Sequence, residues 1–176
     1  MQQQLPTIHA LAKKLGQVLL TQNLRCTVAE SCTGGSLAAA ITDIPGSSQW
    51  FDCGFVTYTN ESKHQMLAVP QHMLASQGAV SEAVVRAMAE GALLASEANT
   101  SVAISGIAGP DGGSLEKPVG TVWLAWASRV CPTEVQCCSF IGDRLSIRQQ
   151  AVQAGLEGLI QRNIAPVSIS MENPRN

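Results

Sequence analysis

The chain has 176 residues, 45% of them hydrophobic, which suits one domain with a core running through most of it. Eleven basic residues against 13 acidic ones give a formal charge of −2, and no basic run could track a phosphate backbone, which argues against a nucleic-acid partner. No segment approaches the ~18 apolar residues of a membrane span, and no basic stretch precedes an apolar one at the N-terminus. A cytoplasmic protein with no membrane partner is expected. The six cysteines form no Cys-x-x-Cys and no Cys/His cluster, so free thiols, no metal and no cofactor are expected.

In chain order, Leu5, Ile8, Leu11, Ala12, Leu15, Val18 and Leu19 recur at helical spacing and predict a helix over residues 5–22. A short strand follows over 25–30. Thr33 is the predicted cap of a second helix over 36–41, which the turn residues Ile44-Pro45-Gly46-Ser47-Ser48 end. Phe51 to Tyr58 reads as a strand, and Asn60 as the N-cap of a short helix through Leu67. Pro70 predicts another turn. Ser81, with Glu82 in the first turn, opens an Ala-rich helix to about residue 97.

Val102 to Ser105 reads as a short buried strand, followed by the loop G-I-A-G-P-D-G-G-S-L-E-K-P-V-G, too rich in glycine and proline for regular structure. The runs V-G-T-V-W-L-A-W-A and E-V-Q-C-C-S-F-I predict a hairpin. Asp143 caps a last helix with Leu145, Val152, Leu156, Leu159 and Ile160 on one face, and the tail from Pro166 to Asn176 reads as loosely ordered. Helices alternating with strands, plus one hairpin, predict a single-domain three-layer α/β/α sandwich on a mixed sheet over residues 5–162.

Three loops carry unusual chemistry at strand ends, where open α/β sheets gather ligands. Ser31-Cys32-Thr33-Gly34-Gly35 sets small residues at a helix start, leaving amides free to face an anion or a developing oxyanion, or else it is a plain glycine-rich turn. Either Ser31 or Cys32 is the candidate nucleophile; a helix N-terminus would lower the thiol's pKa.

Tyr58-Thr59-Asn60-Glu61-Ser62-Lys63 ends a strand and begins a helix, so Tyr58 and Lys63 can converge. Lys63 sits where the helix dipole opposes a cation. If desolvated it is a base at neutral pH; if solvated it pairs with Glu61 or Glu82. His64 is the rival base, but it projects ~100° away around the helix. The third loop, 106–113, matches neither dinucleotide-binding nor Walker patterns, yet can form a backbone nest. Arg144, another first-turn cation, either grips a phosphate or pairs with Asp143 or a neighbouring acid.

Taken together, A-E-S-C-T-G-G, P-G-S-S, G-F-V-T-Y-T-N-E-S-K, G-A-V-S-E, S-G-I-A-G-P-D-G-G, K-P-V-G-T-V-W and G-D-R, spread over residues 5–162, resemble the CinA C-terminal domain family. That resemblance, in its short freestanding form, implies metal-free hydrolysis of the carboxamide of nicotinamide mononucleotide to nicotinate mononucleotide and ammonia. It implies Ser31 as nucleophile, activated by Tyr58 and Lys63, with Thr33, Gly34, Gly35, Ser48, Ser105, Gly106, Gly109 and Arg144 holding the nucleotide. The Gly34 and Gly35 amides would stabilise the oxyanion. Ser105 stands where the family pattern has threonine, and little change is expected. A non-catalytic nucleotide-binding or regulatory module is the alternative reading. The short chain and exposed apolar strands predict a homodimer.

Overall fold

The computed structural model of the chain describes residues 7–164. The tail from Pro166 to Asn176 and the expected helix start at Leu5 lie outside the described residues. The elements are α1 (Ile8–Thr21), β1 (Cys26–Glu30), α2 (Ser36–Thr42), a 3₁₀ turn (Ser47–Gln49), β2 (Phe51–Val56), α3 (Asn60–Leu67), α4 (Gln71–Gln77), α5 (Glu82–Leu94), β3 (Thr100–Gly106), β4 (Thr121–Ser128), β5 (Glu134–Ser139) and α6 (Arg144–Ile164).

The five-stranded sheet runs β2-β1-β3-β4-β5. β1 is parallel to both neighbours, and the β4–β5 hairpin extends the sheet antiparallel from β3. Helices α1, α2 and α6 cover one face and α3, α4 and α5 the other. The fold is therefore the expected three-layer sandwich on a mixed sheet.

Strand alternation decides what each face receives. Along β1 every residue is buried, with Cys26 and Val28 in the core shared with α1, α2 and α6, and Ala29 in the core beneath α5. Continuing the alternation, Glu30 turns toward α2, Ser31 toward the α3–α5 layer, and Cys32 back into the first core. The serine and the cysteine are therefore sent to opposite sides of the sheet.

Close helix packing then brings α3 within reach of Ser31. Gly91 of α5 permits it, since a Cβ there would stand 2.1 Å from the Leu67 carbonyl oxygen of α3.

Four local expectations are corrected. The Thr33 side chain caps nothing among the described residues; the Glu30 carboxylate caps α2, accepting from the amides of Gly35, Leu37 and Ala38 at 2.8–3.0 Å. Thr59, not Asn60, is the N-cap of α3, in a reciprocal capping box with Ser62 that satisfies both backbone amides. A two-turn helix, α4, follows Pro70 where only a turn is expected, with Leu74 as its single buried residue. Leu145 is 59% exposed, because it lies ~200° around α6 from the buried Ile147 that takes the expected place on the face. Asp143 does cap the start of this helix, accepting from the Ser146 amide.

Candidate active site

The site gathers at the carboxyl ends of the parallel strands β1, β2 and β3. Lys63, the fourth residue of α3, is 1% exposed, and its Nζ donates to the Thr57 carbonyl at 2.8 Å and to Ser31 Oγ at 3.0 Å. Among the described residues it pairs with no carboxylate. Glu61 instead accepts from Gln65, and Glu82 pairs with Arg86. Burial pushes the Lys63 amine below its ordinary 10.5 because desolvation penalises the charged form; the nearby Cys32 opposes this weakly.

Ser31, itself nearly buried, thus faces an amine whose charged form burial disfavours. Such a pair can pass the hydroxyl proton to nitrogen and free the oxygen to attack.

Cys32 has the opposite character. It is 6% exposed within the core of α1, α2 and α6, and burial raises its thiol to about 11, outweighing the lowering effects of its own amide and of Arg148. The expected helix-terminus lowering of this thiol is corrected: desolvation is the larger effect. His64 turns away and meets the Val69 carbonyl at 3.0 Å. Among the described residues, no group of three or more His, Cys, Asp or Glu could hold a metal ion.

The CinA C-terminal domain model matches residues 8–163. The chain belongs to the CinA C-terminal domain family. A nicotinamide-nucleotide amidohydrolase PncC from Pseudomonas putida is 54% identical over 156 residues, covering 88% of this chain and 96% of that protein. One of the same description from Escherichia coli K12 is 53% identical, covering 86% and 92%. A competence/damage inducible protein CihA from Agrobacterium tumefaciens has a solved structure with a TM-score of 0.88 at 44% identity, covering 93% of this chain and 99% of that one.

In this CinA domain the other expected residues divide into those brought to the site and those kept from it. Arg144 is at the rim. Its Nη1 donates to the Gly109 carbonyl at 2.8 Å and its Nη2 to the Tyr58 hydroxyl at 2.9 Å, not to Asp143. The Tyr58 side chain is 59% exposed and faces Arg144, so its hydroxyl has no hydrogen bond to Ser31 or Lys63 among the described residues. Tyr58, expected beside Lys63 in activating Ser31, is thus hydrogen-bonded to Arg144 rather than to the Ser31–Lys63 pair.

The Gly34 amide donates to the Ser31 carbonyl and the Gly35 amide to Glu30, so both expected oxyanion donors are already engaged. Ser105 is buried and donates to the Ala79 carbonyl, tying β3 to the segment before α5. Gly106 serves packing, since a Cβ there would meet Val122 Cγ2 at 2.6 Å. Ser48 lies in the 3₁₀ turn before β2, at the amino end of the sheet. It stands a strand's length from Ser31, at about 3.3 Å per residue.

Two residues that the sequence reading missed hold the nucleophile's turn. Glu30, fully buried, takes three amides at the start of α2. Arg148 of α6 donates through Nε to the Cys32 carbonyl at 3.1 Å, and through Nη2 to the Thr33 carbonyl at 2.7 Å and Ser36 Oγ at 2.9 Å. Glu30 carried one signal, an acid ending an otherwise uncharged strand. Arg148 carried none, being 116 residues from its partner Cys32. Among the described residues no helix is long and apolar enough to cross a membrane.

Proposed function

We propose that this protein hydrolyses the carboxamide of nicotinamide mononucleotide, giving nicotinate mononucleotide and ammonia, with Ser31 as nucleophile and Lys63 as base. The substrate rests on the relatives described as nicotinamide-nucleotide amidohydrolases, which match nearly their whole length. The chemistry rests on one observation: a buried lysine 3.0 Å from a serine hydroxyl, with no carboxylate partner among the described residues.

The neutral Lys63 amine keeps one N–H on the Thr57 carbonyl and turns its lone pair to the Ser31 hydroxyl. Ser31 Oγ attacks the carboxamide carbon as its proton passes to Nζ, and the carbonyl oxygen becomes an oxyanion. As the C–N bond breaks, the lysine ammonium returns a proton to the leaving nitrogen, which departs as ammonia. Water then attacks the ester carbon, yielding its proton to Nζ; the C–Oγ bond breaks, Ser31 recovers its proton, and the carboxylic acid leaves. No redox partner is needed.

Arg144 is the residue proposed to receive the 5′-phosphate, with the Tyr58 hydroxyl beside it. The guanidinium is exposed at the rim and, among the described residues, reaches acceptors through Nη1 and Nη2 but not Nε. A phosphate there would gain charge-assisted hydrogen bonds.

The test is incubation of the purified protein with nicotinamide mononucleotide, with ammonia and nicotinate mononucleotide measured together. Release of the two in equal amounts is expected. Consumption of the nucleotide by cleavage at the ribose, or no consumption, would overturn the substrate assignment.

A further inference from the structure

The turn that carries Ser31 is clamped from two sides. Glu30 holds the amides of Gly35, Leu37 and Ala38, and Gly34 donates to the Ser31 carbonyl. On the carbonyl side, Arg148 holds the oxygens of Cys32 and Thr33. Among the described residues this leaves the Thr33 amide without a hydrogen-bonded acceptor.

The Cys32–Thr33 peptide is trans, because the only cis bond among the described residues is Gly109–Pro110. In a trans peptide the N–H points opposite to the preceding C=O. Arg148 reaches the Cys32 carbonyl from α6, in the layer of α1 and α2. The Thr33 N–H is therefore directed away from α6, toward the layer of α3 and α5 from which Lys63 reaches Ser31. A free amide one or two residues past a nucleophile, on the nucleophile's own side of the sheet, is where an oxyanion donor belongs.

We propose that Arg148 is a positioning residue that, by fixing the Cys32 and Thr33 carbonyls, aims the Thr33 amide at the developing oxyanion. This assigns to Thr33 the donor role that Gly34 and Gly35 cannot fill. It rests on the reading of Ser31 as nucleophile but not on the identity of the amide substrate.

Two measurements on the full chain test it: kcat and KM for ammonia release from nicotinamide mononucleotide, and the rate at which a fluorophosphonate labels Ser31. Labelling needs the activated serine and the oxyanion donors, whatever the natural substrate. In Arg148→Met, kcat is expected to fall about 100-fold, since a misplaced donor costs on that order. KM should change less than about threefold, because the contact matters chiefly in the transition state. Labelling should slow in parallel, and Arg148→Lys, which can still reach one carbonyl, should fall between the two. The unfolding midpoint, read alongside, separates a lost turn from a lost fold; if Arg148→Met does not fold, Arg148→Lys alone carries the comparison.

Wild-type kcat and labelling in a folded variant, a change confined to KM, or a fall in kcat without slower labelling would each overturn the proposal. So would wild-type Ser31 that takes no label. Wild-type protein that takes the label but releases no ammonia from the nucleotide would instead overturn the substrate assignment and leave Arg148 to be judged by labelling.

Discussion

The two ends of the sheet differ in how their cations are used. At the amino end lies a cavity of about 350 Å³, lined by residues including Gln22, Trp126, Arg129, Glu134 and Arg162. Its two arginines are engaged there. Arg129 donates to the carbonyls of Leu93, Ser96 and Ala98, and Arg162 pairs with Glu134 at 2.7 Å while its guanidinium lies 4.0 Å from the Trp126 ring centroid. At the carboxyl end, among the described residues, Lys63 pairs with no carboxylate, the Thr33 amide lacks an acceptor, and the buried hydroxyls of Thr33 and Thr57 have no partner; at the amino end the buried Nε atoms of Arg25 and Arg162 lack one too. Unpartnered buried atoms thus occur at both ends, and what sets the carboxyl end apart is a buried amine beside a serine hydroxyl with no carboxylate to pair it among the described residues.

The strongest way to break this contrast is Ser31→Ala, expected to abolish ammonia release while the unfolding midpoint holds. Cys32→Ala should keep most activity, because its thiol is protonated and turned into the core. The reverse pattern in the two assays would give the chemistry to Cys32.

Lys63→Met comes next, with kcat expected to fall by orders of magnitude and KM to change little. The wild-type rate should rise with pH through the lowered pKa of Lys63, and that acid limb should vanish in the variant. Stability adds an independent reading. The folded amine titrates below its ordinary 10.5, so the unfolded chain binds the extra proton and the wild type loses stability as pH falls from that value. The unfolding midpoint of Lys63→Met relative to wild type should therefore improve as pH falls and level off below the folded pKa. A difference that is flat with pH would mean that the amine is charged in the folded protein.

Arg144→Ala should raise KM roughly ten- to hundredfold, the worth of charge-assisted hydrogen bonds to a phosphate, with a smaller change in kcat. Weak activity on nicotinamide riboside, which lacks the phosphate, should be nearly unchanged. Equal losses on both substrates would place Arg144 at the carboxamide end instead. The smallest effect is expected at the far end: Glu134→Gln should leave kcat/KM within about twofold and cost at most ~1 kcal/mol in unfolding, as exposed ion pairs do. A larger loss of activity would show that the two ends are coupled.

Much of the architecture was legible because it rests on local periodicity. The strand-like runs of β4 and β5 and the apolar face of α1 announce themselves, and β1's alternation separates Ser31 from Cys32 once the layers are known. What could not be read depends on contacts distant in sequence. Whether Lys63 was solvated or buried hinged on α3 seating against Gly91, and Arg144's choice of Tyr58 over Asp143 on a loop closing 86 residues away. The cap of α2 was misassigned to Thr33 because a strand residue, Glu30, reaches forward to do it. Ser48 was placed by family resemblance, and the topology puts it at the other end of β2.

The central assignment, a covalent step on Ser31 served by Lys63, is tested most directly by acid-quenching the protein during turnover of nicotinamide mononucleotide and mapping the modified peptide by mass spectrometry. The expected result is a nicotinoyl-nucleotide ester on Ser31, present in the wild type and in Cys32→Ala and missing in Ser31→Ala. A covalent group on Cys32, or ammonia released with no adduct at any quench time, would contradict it.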